Sequence, residues 1–207
     1  MTNLLNKIID PIVAFFNPYS VLTHDEIICL IDKGYLVADR DKVNATSIDV
    51  TLHEDFMVEG NSSHRTTSVD LATREVPRME PRCLTDLFGC MDSCMYNMQP
   101  GEFILGATNE IFNLPDNITA VFYMKSSLAR CGLDHCNAGF IDPGFNGSRL
   151  TLELTNLLRT HKLGLRYRMP IGQIKFYRHK FVPAKFSYRK TGQYNGDMAV
   201  QDSKGVR

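Results

Sequence analysis

A chain of 207 residues, with 23 Lys and Arg against 23 Asp and Glu, can bury a real apolar core without disulfide or metal staples. Its balanced charge carries no mark of a nucleic-acid or membrane-surface binder, and its longest apolar runs, such as residues 12–16, are far too short to span a bilayer. The N-terminus has no basic flank, long apolar core or small-residue cleavage pattern, so the expectation is a cytoplasmic protein with no nucleic-acid or membrane partner.

Six cysteines occur: Cys29, Cys83, Cys90, Cys94, Cys131 and Cys136. Without a secretory leader they read as free thiols. Neither Cys90-x3-Cys94 nor Cys131-x4-Cys136 has zinc-finger spacing, and His135 cannot easily share a metal with the adjacent Cys136, so no direct protein-held metal is expected.

In chain order, residues 1–20 read as an N-terminal extension, broken by Pro11 and Pro18. A helix then starts at a Thr23/Glu26 capping box, carries Ile27, Ile28, Leu30 and Ile31, and stops at Lys33-Gly34. From there the period falls to two. Ile48, Val50 and Leu52 alternate with Ser47, Asp49 and Thr51; Ile118, Ala120, Phe122 and Met124 follow the same rule. So do Leu150, Leu152 and Leu154, and Ile174 with Phe176, which predicts antiparallel β-structure in a sandwich or barrel. Turn signals stand at Pro100-Gly101, Pro115-Asp116, Pro143-Gly144 and Asn146-Gly147. Residues 59–80 read as a long loop. The division is residues 1–20, a domain over 21–187, and a mobile tail over 188–207 that lacks an apolar face.

Two stretches carry chemistry. Lys125-Ser126-Ser127-Leu128-Ala129-Arg130 follows a strand and opens a short helix, capped by Ser126 or Ser127, that ends at Gly132. Free amides, hydroxyls and a lysine there suit a phosphate, and equally describe an ordinary capped turn. Residues 139–147 make a tight connection with Asp142 at its mouth, and Glu153 follows on the polar face of the next strand between Thr151 and Thr155. A hairpin there would bring both carboxylates to one cavity; they also read as a turn aspartate and a solvated glutamate.

Taken in order, these stretches resemble the dCTP deaminase and dUTPase superfamily. The matching motifs are Asn44-Ala45-Thr46-Ser47-Ile48-Asp49-Val50-Thr51-Leu52, Gln99-Pro100-Gly101-Glu102-Phe103 with Thr108 and Glu110, and the Ser-Ser-Leu-Ala-Arg segment. The turn at residues 138–147, Met169-Pro170-Ile171-Gly172-Gln173-Ile174, and Gly192-Gln193-Tyr194-Asn195-Gly196 complete the set. The resemblance implies a mainly β, dUTPase-like distorted jelly-roll or barrel with a few short helices, assembled as a homotrimer. It implies zinc-independent deamination of dCTP to dUTP, in which Glu153 manages protons while water attacks C4 of cytosine. The zinc deaminase signature, His-x-Glu with Pro-Cys-x-x-Cys, is absent.

By the same resemblance Ser126 and Arg130 hold the water and the cytosine and come from a neighbouring subunit. Backbone groups around Ala138 read the base edge, and Asp142 meets the deoxyribose 3′-hydroxyl and could serve a water at the α-phosphate. Lys125, Ser127 and Gln173 contact the triphosphate, whose oxygens carry Mg2+, and Tyr194 belongs to a lid. Three departures stand out. Lys125 occupies a place the family usually gives to arginine, the spacing from Asp142 to Glu153 is one residue long, and the tail lacks the glycine-proline often found beyond the tyrosine. The extra residue turns Glu153 inward unless a bulge absorbs it. The product is dUTP, or dUMP if the same site cleaves the triphosphate. The competing readings are a dUTPase-like pyrophosphatase, with Phe145 near the base and Glu153 incidental, and a non-catalytic nucleotide-binding homologue.

Overall fold

The helix predicted after Thr23 forms as α1, His24–Asp32. Glu26 accepts hydrogen bonds from the Thr23 backbone N–H and hydroxyl at 2.9 and 3.1 Å, satisfying groups that a helix start leaves open. Ile27 and Leu30 are buried, and Gly34, at φ +70°, ends the helix. A computed structural model of the chain describes residues 20–60, 68–70, 75–84 and 95–205. The expectations for residues 1–19, and for Cys90 and Cys94, lie outside the described residues.

The rest is strand. In chain order these are β1 Ser20–Val21, β2 Leu36–Val37, β3 Ile48–Thr51, β4 Asp55–Glu59, β5 Met79–Cys83, β6 Met95–Met98 and β7 Phe103–Asn113. They continue with β8 Ile118–Met124, β9 Leu133–His135, β10 Phe140–Ile141, β11 Asn146–Asn156, β12 Leu163–Arg166 and β13 Pro170–Arg178. Helix α2 spans Ser126–Arg130 and α3 spans Tyr188–Thr191. One sheet runs β1-β13-β8-β10 with β3 also on β13; the second runs β5-β4-β7-β11-β9 with β2 also on β7; β12 pairs β6 separately. All these pairings are antiparallel.

The two sheets meet over the residues that the period-two reading assigns to the core. Ile48, Val50, Leu52, Ala120, Phe122, Leu150, Leu152, Leu154, Ile174 and Phe176 are all buried. The mainly β architecture is therefore the expected one. The long loop is shorter than read, because Met79 and Glu80 belong to β5. Met79 is buried, and Pro81 is tolerated because β5 is an edge strand.

Two further expectations are corrected. Asn146-Gly147 is not a hairpin turn: both residues lie within β11, where Gly147 adopts φ +65° at a register shift. The segment between Asp142 and β11 is not a hairpin either, since β10 pairs with β8 in one sheet and β11 with β7 in the other. Pro143-Gly144 is instead the corner at which the chain changes sheets, closed by Phe145 N–H to Asp142 C=O at 3.2 Å with Gly144 at φ +87°.

Leu152 is fully buried between the sheets. Leu152→Ala should lower unfolding free energy by about 2–5 kcal/mol, the usual cost of the lost transfer energy plus the cavity, measured by urea denaturation.

Candidate active site

Strand β11 carries two programmes at once. Leu150, Leu152 and Leu154 face the core, while Thr151, Glu153 and Thr155 alternate with them on the other face. Register with β7 shifts between Asn146 and Ser148 and again between Arg149 and Thr151. The first shift puts one surplus residue on β11, where the extra residue is taken up, and the second puts its surplus of two on β7, so Glu153 keeps the outward phase, directly opposite Leu105.

Glu153 lies on the wall of a cavity of about 450 Å³, within the ~300–1,000 Å³ range of small-molecule sites. Ala138 and Asp142 share that wall, with Phe103, Leu105, Phe140 and Phe145 as apolar surface and Tyr188, Tyr194 and residues 201–203 from the tail. The sheet-changing corner brings Asp142 to the cavity. Gly139 brings Ala138, since a Cβ at Gly139 would sit 2.9 Å from the Phe122 backbone oxygen. Burial raises the Asp142 carboxyl above its ordinary value.

A residue that the sequence reading used only to dismiss a metal sits beside Glu153. His135, almost wholly buried on β9, pairs opposite Leu154 and packs its ring on Phe122 at 4.7 Å between centroids. Its Nε2 lies 3.1 Å from Glu153 Oε2. Both atoms are enclosed, the contact is not aligned as a hydrogen bond, and neither atom finds another partner among the described residues. Two orphaned buried groups this close have each other as the available partner.

The remaining predicted residues are elsewhere. Lys125 pairs through Nζ with the Asp49 carboxylate, and Gln173 Nε2 donates to Asp49 Oδ1 at 3.0 Å. Asn44 Nδ2 donates to the same oxygen at 3.0 Å. Asp49 therefore gathers two of the three expected phosphate ligands, Lys125 and Gln173. Burial opposes its charge, but the Lys125, Gln173 and Asn44 contacts prevail and hold its carboxyl below the usual range. Lys125, not Ser126 or Ser127, is the N-cap of α2: the chain stays extended through Lys125, and no side chain caps the helix. Ser126, Ser127 and Arg130 are exposed on α2. None of Lys125, Ser126, Ser127, Arg130 and Gln173 lines the cavity.

The tail also departs from expectation. Val200 is buried against Met79, Leu105 and Ala107, and Tyr188 packs on Phe145 at 5.5 Å, so the tail does carry a core-facing side. Ser148 Oγ donates to Tyr194 C=O at 2.8 Å and accepts from Asp197 N–H at 3.1 Å.

The family model described as dCTP deaminase-like matches residues 21–179. The chain belongs to that family. A Nocardioides sp. protein named dCTP deaminase, dUMP-forming, is 37% identical over 183 residues, 84% of this chain and 91% of the relative. The Mycobacterium tuberculosis protein of the same name is 42% identical over 173 residues, 82% of this chain and 85% of that one. The crystal structure of 2′-deoxycytidine 5′-triphosphate deaminase from Agrobacterium tumefaciens matches with a TM-score of 0.57 at 21% identity, over 78% of this chain and 49% of that one. This dCTP deaminase-like chain thus shares its fold with a solved chain about twice the matched length.

Asp142 should titrate above its ordinary 3.8 in the folded protein, as read by carboxyl NMR. The folded state then holds its proton longer than the unfolded state, so Asp142 subtracts stability as pH rises from 3.8 through the folded value, and the cost persists above it. Asp142→Asn should remove that part of the pH dependence in urea titrations.

Proposed function

We propose that the chain deaminates dCTP and carries the product on to dUMP and pyrophosphate. The observation that carries this reading is one cavity wall holding Ala138, Asp142 and Glu153, with the Glu153 carboxyl met by His135 at 3.1 Å. Membership of the dCTP deaminase-like family and the two relatives named dUMP-forming support it.

The first reaction takes dCTP and water to dUTP and ammonia. Water adds to C4 as one of its protons passes through Glu153 to ring N3. The glutamate then carries the proton of the new C4 hydroxyl to the amino group, so that the C4–N bond breaks, nitrogen leaves as ammonia and the C4 oxygen remains as a carbonyl. His135 is the positioning residue: it holds Glu153 Oε2 towards the base. In this reading the carboxylate replaces zinc as the activator of water. The second reaction adds water at the α-phosphate with pyrophosphate as leaving group, and Asp142 orients that water.

Charge argues for more than one copy per site. The cavity lining includes Asp142, Glu153, Asp197 and Asp202 with Arg149 as its basic member among the described residues, which suits a base and sugar better than three phosphates. Lys125 and Gln173 lie outside this lining, gathered at Asp49, with Ser127 exposed on α2. A homotrimer in which one subunit offers the cavity and its neighbour offers Lys125, Ser126, Ser127, Arg130 and Gln173 completes the site. The Mg2+ of the reaction would be held by phosphate oxygens and water, where it neutralises phosphate charge.

Glu153→Gln should lower ammonia release by at least ~10²-fold while nucleotide binding persists, measured by enzyme-coupled ammonia assay and by chromatography of the products. Near-parental turnover sinks the mechanism, and dUTP cleavage retained without deamination by the parent favours the pyrophosphatase reading. His135→Phe keeps the ring contact and removes Nε2. It should lower kcat by about tenfold or more and move its pH profile, with KM little changed. Parental activity should survive zinc chelators and fall when Mg2+ is withdrawn.

A further inference from the structure

Arg149, one of the two residues around the β11 irregularity, makes contacts that a register filler does not need. Its backbone N–H donates to Asp197 C=O at 3.0 Å. Its Nε donates to Met198 C=O at 3.0 Å. Its Nη1 reaches back to strand β7, donating to Thr108 C=O at 3.2 Å and to Asn109 C=O. One planar guanidinium thereby ties the tail to the strand that backs the cavity, and the same side chain lines the cavity. Two residues beyond Met198, Val200 drops into its apolar contact with Met79, Leu105 and Ala107.

We propose that Arg149 is a positioning residue that latches residues 194–200 over the cavity before any nucleotide arrives. This rests on the reading of the tail as the lid of the reaction. The acceptors are neutral backbone carbonyls, so the latch does not depend on a particular tail side chain. It depends on a donor with two separated N–H edges, which arginine has and lysine lacks. The irregular ladder is what allows it: at the second register shift the surplus lies on β7, whose residues 108–110 stand opposite Leu150, and Thr108 and Asn109 there present their carbonyls to the fork while the Arg149 backbone serves the tail. An entering nucleotide then meets a wall that is already assembled and spends less binding energy on ordering the tail.

The test is hydrogen exchange of the full-length protein without nucleotide, beside steady-state kinetics with dCTP. In Arg149→Ala the amides of residues 196–200 should exchange on the order of tenfold faster, as expected for losing hydrogen bonds from a charged donor, while β13 exchanges as in the parent. KM should rise about tenfold, with kcat changing less. Saturating dCTP should restore tail protection. Arg149→Lys keeps the charge but not the fork and should show the same tail exposure to a smaller degree. It also carries the test if faster exchange in β13 reveals that the alanine variant is misfolded. Unchanged tail exchange in the folded variant overturns the latch, and an exposed tail with parental KM overturns its part in positioning. The exchange readout needs no turnover, so a parent without deaminase activity would remove the proposed reaction while leaving the latch to be judged separately.

Discussion

The β7–β11 ladder is the constraint on which the rest depends. With 11 residues in each strand, it joins the buried leucines to the cavity wall through one set of backbone hydrogen bonds. Leu152 and Leu154 bind the two sheets together because they point one way; Thr151 and Glu153 meet the cavity because they point the other. Burying the leucines, at roughly 1.5–3 kcal/mol for each side chain, is therefore what fixes the direction of the glutamate. No separate interaction is needed to aim it, and His135 refines a direction already set.

That coupling explains what could be read in advance. Alternation is a local property, so the core faces of β3, β8, β11 and β13 were legible from residue type alone, as were the capping box at Thr23 and a turn at Pro143-Gly144, though not that the chain changes sheets there. The phase of Glu153 was legible by an indirect route: three leucines on one face require the residues between them to take the other. The short strands β9 and β10 were not, because two or three residues carry too little periodicity. His135 was hidden for the same reason. Its cross-strand place opposite Leu154 and the approach of its Nε2 to Glu153 appear only in the folded chain, and pairing register cannot be read from one segment by itself.

The tail shows a different limit. Residues 188–205 are mostly polar, and composition alone describes a solvated strap. Its order comes from hydrogen bonds between its backbone and the side chains of Ser148 and Arg149 on β11, so on the tail's side the partners are backbone groups, which leave no compositional trace. The single buried apolar residue among its last described positions, Val200, is too little to form a face in sequence yet enough to dock in space. Likewise, Asp49 reads as the polar partner of a strand residue. The fold makes it the centre of a cluster with Asn44, Lys125 and Gln173, drawn from segments more than 120 residues apart at the extreme.

The two register shifts in the β7–β11 ladder also bear on how such a chain can vary through descent. A strand that must keep leucines inside and a carboxylate outside rejects any single-residue gain or loss along its length, since parity would invert. Here the irregularities lie upstream of Glu153, between the corner and the stretch that carries it. A length change there is dissipated as local twist before it reaches the glutamate. The corner and its loop can therefore drift in length and composition while the downstream half of the strand inherits an unaltered phase.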